Sequence, residues 1–229
     1  MSYWRDMDTI CRGDLLSTRG RALAWLDSLL VDHAVLRLVW ANFSVVVPGR
    51  LYRSNHPTPR RLAAQVRRHG IRTLINLRGR CGNGSDALSR ARAGRLGVRF
   101  VDAPFSSGRV PTREQMMLLA DAFRDAEEPI LVHCKSGADR AGFAAALFLV
   151  LEGASVPQAM RQLSIRHGHV RRSRAGVLDA VLLRYAQEAE GRRPFIDWLR
   201  DEYDPIALAR DFVPRRIASF VTTRLLVRE

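Results

Sequence analysis

The chain has 229 residues, 47% of them apolar, and a formal net charge of +14, which suits one domain with a single buried core and attracts polyanions such as nucleic acid, an anionic membrane surface or phosphorylated substrates. Its three cysteines, Cys11, Cys81 and Cys134, are too few and too scattered for a disulfide framework or a paired metal-ligand spacing, and the N-terminus shows no recognisable secretory signal, so free thiols in the cytoplasm are expected. Lys135 is the lone lysine among 37 basic residues, a bias that coding composition explains as well as binding does.

From Leu15 to Trp40 apolar residues crowd a helical pattern that Asp27, Asp32, His33 and Arg37 interrupt. A spanning helix needs ~20 largely uncharged residues, so the segment reads as an amphipathic or packed helix. After Pro48-Gly49, Leu51-Tyr52-Arg53 is a short strand, and Thr58-Pro59 opens a helix that Gly70 closes. Arg72–Leu77 is a strand, Gly79–Gly84 a loop, Ser85 the cap of a helix ending near Gly97, and Val98–Phe105 another strand. Thr112 and Gln115 form a capping box for a helix through Phe123, and Pro129–Val132 is a wholly apolar strand of the buried type. A helix capped at Ser155 by Gln158 runs to Gly168, followed by a basic stretch, Arg166–Arg174. Its His167 and His169 lack a third ligand nearby and read as part of a solvated loop.

Alternating strands and helices imply an α/β domain with parallel-type strands, whose active site belongs at the carboxyl ends of the strands. We place a helical extension at residues 1–44, the α/β domain at 45–191 and a basic helical tail at 192–229. Within that tail Pro205–Glu229 is amphipathic, suited to a membrane interface or to packing on the domain.

The apolar strand runs into His133-Cys134-Lys135-Ser136-Gly137-Ala138-Asp139-Arg140-Ala141-Gly142 and then an alanine- and leucine-rich helix. A strand, tight loop and helix start converge backbone N–H groups where the helix dipole is positive, which favours phosphate. Lys135, Ser136, Gly137, Ala138, Asp139 and Arg140 are therefore the candidate phosphate-binding residues, with Arg140 able to grip two phosphate oxygens at once. A thiol in such a field ionises more readily than a free one, which makes Cys134 the candidate nucleophile on phosphorus, through a cysteinyl-phosphate intermediate.

The His, Cys, two residues, Gly, two residues, Arg pattern at 133–140 resembles the signature of the protein tyrosine phosphatase superfamily. Leu51–Pro57 and Thr73–Gly79 likewise resemble strand segments of bacterial dual-specificity-type phosphatases, so the likeness spans about Leu51 to Gly191. It implies a tyrosine-phosphatase-like sheet flanked by helices and a phosphatase needing no metal or other cofactor. Two departures stand out. The family places a hydroxyl residue after the arginine to help the thiolate leave, where this chain has Ala141, and its usual acidic loop corresponds to Phe105–Pro111, which holds no carboxylate. Asp102 and Asp139 are the candidate general acids, Glu114 a distant one, and the absence of any acid stays open. Asp139 has an alternative role in bracing the loop. Substrates that fit are phosphoproteins, anionic lipids or inositol phosphates. The rivals are a non-catalytic phosphate-recognition module and a peripheral protein of the inner membrane face; nucleic acid is disfavoured because no aromatics interleave with the basic residues. Cys81, just past the strand at Thr73–Leu77, is either a resolving thiol for Cys134 or an incidental loop residue.

Overall fold

A computed structural model describes residues 15–30 and 40–212. Cys11, the second part of the expected N-terminal helix and the tail beyond Phe212 lie outside the described residues. Five strands, β1 (Ser44–Val47), β2 (Leu51–Asn55), β3 (Thr73–Asn76), β4 (Arg99–Asp102) and β5 (Ile130–Cys134), form one sheet in the order β1-β2-β5-β3-β4. All neighbours are parallel except the β1–β2 hairpin. The expected α/β architecture is present, with one antiparallel edge strand that sequence reading did not anticipate.

Period-two alternation sorts the strand side chains between two helical layers. Leu51, Ile75, Ile130, Val132 and Cys134 belong to the main core, where they meet α4 (Arg113–Arg124), α5 (Asp139–Leu151), α7 (Val177–Glu188) and α8 (Phe195–Asp201). Tyr52, Leu74 and Leu131 face the other way, toward Leu62 of α2 (Pro59–His69) and Ala93 of α3 (Gly84–Arg95). α5 is apolar nearly all round after its first turn, as a helix enclosed by other elements must be.

The element boundaries follow local chemistry. The capping box at Thr112 forms, with the Gln115 amide donating to Thr112 Oγ1 at 3.3 Å and the Thr112 amide to Gln115 Oε1 at 3.0 Å. The cap of α3 is Asn83 rather than Ser85; its side chain accepts from the Asp86 amide at 3.0 Å. β4 stops at Asp102, short of the expected Phe105, after which the Ala103 amide makes a last bond to the Asn76 carbonyl at 3.1 Å. The helix expected from Ser155 to Gly168 breaks into α6 (Val156–Ala159) and 3-10 turns at Met160–Gln162 and Ile165–His167, and the carbonyl of Gln162 is taken by Arg53 at 2.5 Å.

α1 (Thr18–Leu30) packs on α3. Asp27, one of the charges that interrupts the apolar pattern, is buried and accepts from the Gly84 amide at 2.5 Å, an anion at a helix amino end. At the other flank Phe195, Trp198, Leu199, Tyr203 and Leu208 are buried in the main core, the last on α9 (Pro205–Asp211). Among the described residues no helix is long and apolar enough to cross a membrane.

Candidate active site

Cys134 ends the central strand, opposite Asn55 of β2, and is 2% exposed. Four residues then carry the chain to α5, curling round the sulfur so that the Gly137 amide donates to Cys134 Sγ at 3.2 Å. That turn demands glycine twice over. Gly137 has φ 74°, and a Cβ there would stand 2.5 Å from the Asn55 nitrogen and 2.7 Å from the Ser54 carbonyl carbon. Arg140, in the first turn of α5, lies across the ends of β3 and the β4–α4 connection, its Nη1 at 3.4 Å from the carbonyl oxygens of both Leu77 and Phe105.

All four carbonyls of the loop are held by donors from other segments. The Lys135 carbonyl accepts from the His56 amide at 3.3 Å and that of Ser136 from Asn42 Nδ2 at 3.0 Å. Arg53 Nη2 donates to the carbonyls of Gly137 at 2.7 Å and Ala138 at 2.9 Å. Arg53 is wholly buried; desolvation lowers its guanidinium to about 10 against the attraction of Cys134 and Asp139, which leaves it cationic at neutral pH. Neither Arg53 nor Asn42 emerged from sequence reasoning as a site residue. The available signal was a lone arginine inside an otherwise uncharged strand.

His169 requires a correction. Expected in a solvated loop, its imidazole is fully buried between two carboxylates, with Nδ1 2.8 Å from Asp139 Oδ1 and Nε2 2.5 Å from Asp179 Oδ2. Burial acts to lower its pKa, but the hydrogen bonds and charges of Asp139 and Asp179 outweigh it and raise the pKa above the ordinary value. Two buried carboxylates supply the reason a histidine leaves solvent here: each needs a donor. His167 is half-buried and held down to about 4 by desolvation and the neighbouring Arg53 and Arg166. Around them Arg166, Arg171, Arg172 and Arg174 are exposed. This basic segment is tied to the loop after Cys134 by His169 and by Asn42, which also donates to the His167 carbonyl at 2.9 Å.

The candidate acids occupy other surroundings. Asp102 shares the parity of Phe100, on the α3 side of the sheet, whereas Cys134 lies on the α5 side. Its Oδ1 accepts from Asn76 Nδ2 and Arg90 Nη2, both at 2.9 Å, and Arg90 in turn stacks over the Phe100 ring at 4.4 Å. Asp139 is buried against His169, and Glu114 is exposed in the first turn of α4. Ala141 is fully buried in the main core. Cys81 is exposed on the β3–α3 loop, its Sγ 3.5 Å from the Gly79 carbonyl oxygen.

A family model described as the Swiss Army Knife protein, DSP-PTPase phosphatase domain, matches residues 40–189. The chain belongs to that family. It is an atypical member of the dual-specificity tyrosine phosphatase superfamily, and its domain is a cysteine-based phosphatase. Among solved structures, P. aeruginosa TpbA is 25% identical with a TM-score of 0.49, over 70% of this chain and 89% of that one. A TpbA variant in complex with phosphotyrosine is 24% identical with a TM-score of 0.50, over 70% and 88% of the two chains, which shows a shared fold. The core catalytic domain of the S. cerevisiae PP-IP phosphatase Siw14, in complex with citrate, is 20% identical with a TM-score of 0.46, over 75% and 90%. No curated protein matches the chain.

Proposed function

We propose that the domain hydrolyses phosphate monoesters through a cysteinyl-phosphate intermediate, and that it favours substrates carrying further negative charge beside the scissile phosphate. The observation that carries the reading is the closure of the loop on Cys134 Sγ by the Gly137 amide, with Arg140 on the first turn of the following helix. The Cys134 thiolate attacks phosphorus, an S–P bond forms, and the P–O bond to the leaving group breaks. Loop amides and Arg140 stabilise the charge on the equatorial oxygens. Water then attacks phosphorus, the S–P bond breaks, and inorganic phosphate leaves as the thiolate is restored. The exposed arginines at 166, 171, 172 and 174, anchored to the loop by Asn42 and His169, support the preference for polyanionic substrates, whether phosphoprotein, inositol phosphate or anionic lipid.

In this reading neither Asp102 nor Asp139 protonates the leaving group. Asp102 is engaged by Asn76 and Arg90, and Asp139 braces the loop through His169. Without an acid, the rate depends steeply on the leaving group, because nothing offsets the charge that builds on the departing oxygen. Rapid quench with a radiolabelled aryl phosphate tests the intermediate: label is expected on the peptide containing Cys134 and none on the Cys134→Ser protein. Label on another residue, or turnover with no labelled enzyme at any time, would contradict the proposal.

A further inference from the structure

We propose that Arg53 is a positioning residue of the phosphate cup, which turns the N–H groups of Ala138 and Asp139 toward the bound phosphate by gripping the carbonyls on the other side of the same peptides. The inference rests on the phosphatase reading above and adds a residue to it.

In a trans peptide the C=O and N–H point in opposite directions, so whatever fixes a carbonyl also fixes the amide of the next residue. The loop displays this at the peptide joining Ser136 to Gly137. Its carbonyl is held by Asn42 Nδ2 at 3.0 Å, and its N–H points at Cys134 Sγ at 3.2 Å. The next two peptides repeat the arrangement with one donor. Arg53 Nη2 holds the Gly137 carbonyl at 2.7 Å and that of Ala138 at 2.9 Å, which commits the amides of Ala138 and Asp139 to the opposite side. The Ala138 amide meets Ser136 Oγ at 3.4 Å, a long contact that a phosphate oxygen readily replaces.

Arg53 is itself fixed. Its Nη1 donates to the carbonyl and the side-chain oxygen of Gln162, at 2.5 and 3.1 Å, so the guanidinium bridges the loop and the turn after α6. Gly142 makes room for this bridge, since a Cβ there would lie 3.0 Å from Arg53 Nη2 and 2.8 Å from the Gln162 carbonyl oxygen. A lysine could not do the same work. Its single ammonium lacks the planar fork that reaches four acceptors in fixed directions. Arg53 also places a cation behind the loop without touching the substrate, and this separates its role from that of Arg140.

The test is titration of wild type, Arg53→Lys and Arg53→Met with inorganic phosphate, followed by amide NMR, alongside kcat and KM on p-nitrophenyl phosphate. In the wild type the Ala138 and Asp139 amides should shift on phosphate binding. In Arg53→Met those shifts should be lost, and kcat should fall on the order of 10²-fold, as when a preorganised oxyanion donor is removed. Arg53→Lys should lie between the two. A folded Arg53→Met protein with wild-type kcat and wild-type shifts overturns the inference and leaves the phosphatase reading standing. If Arg53→Met does not fold, Arg53→Lys and the wild-type titration decide. Full kcat in Arg53→Lys, or phosphate binding that leaves the Ala138 and Asp139 amides unmoved, overturns it. A wild type that neither binds phosphate nor hydrolyses the aryl ester sinks the phosphatase reading and this inference with it.

Discussion

Two carboxylates buried 3% and 1% exposed, Asp139 and Asp179, share one imidazole, and that sharing fixes how His169 behaves. Because its folded pKa is raised, the protonated ring adds stability in full below the unfolded value of about 6.5 and loses it as pH rises through the folded pKa. Replacing it by His169→Gln leaves two facing carboxylates, so the variant should be destabilised by roughly 3–5 kcal/mol at pH 6. Thermal melts across pH should show the gap between wild type and His169→Gln narrowing toward the alkaline side. A gap that widens toward the alkaline side would mean that His169 is neutral in the folded protein. The candidate acids give a second expectation at this scale. Asp102→Asn should leave the leaving-group dependence of hydrolysis unchanged, whereas a selective loss on poor leaving groups, measured with an alkyl and an aryl phosphate, would restore Asp102 as the acid. Cys134, Gly137 and Arg140 lie three residues apart in sequence, and the loop that joins them was legible there. The partners that hold them were not: Arg53 reaches the loop across 84 residues and His169 meets Asp139 across 30, and no local pattern encodes such pairings.

At the scale of elements, the legible features were those whose bonds are local. The capping box at Thr112, the αL glycine that ends α2 at Gly70 and the apolar run of β5 all follow from neighbours within a turn. β1 escaped because it is an edge strand of four half-exposed residues without a clean alternation. The strand–loop–helix unit depends on close approach of β2 to the loop, so Gly137→Ala should cost more than ~1 kcal/mol from the left-handed backbone alone, with further loss from the clash with the β2 backbone. Denaturant melts of that variant should show the loss. An unchanged midpoint would mean that the loop does not approach the β2 backbone closely.

The whole molecule extends the core beyond the strands. Trp198 is fully buried and its Nε1 donates to Glu188 at 2.9 Å, while Tyr203 donates its hydroxyl to the Pro111 carbonyl at 2.8 Å. We therefore expect Trp198→Ala to destabilise the protein by about 3–5 kcal/mol, the cost of emptying a large buried aromatic site. A thermal melt close to wild type would place α8 outside the cooperative unit. The charge of +14 was plain from composition, but only the folded chain shows an arginine-rich segment tied to the loop after Cys134. The most direct test of the whole reading is p-nitrophenyl phosphate hydrolysis by purified wild type and Cys134→Ser in the presence of a metal chelator, with phosphate affinity measured on both. Chelator-resistant turnover by the wild type, and a Cys134→Ser protein that binds phosphate but does not turn over, is the predicted result. Hydrolysis that survives Cys134→Ser, or that disappears with chelator and returns with a metal, would contradict it.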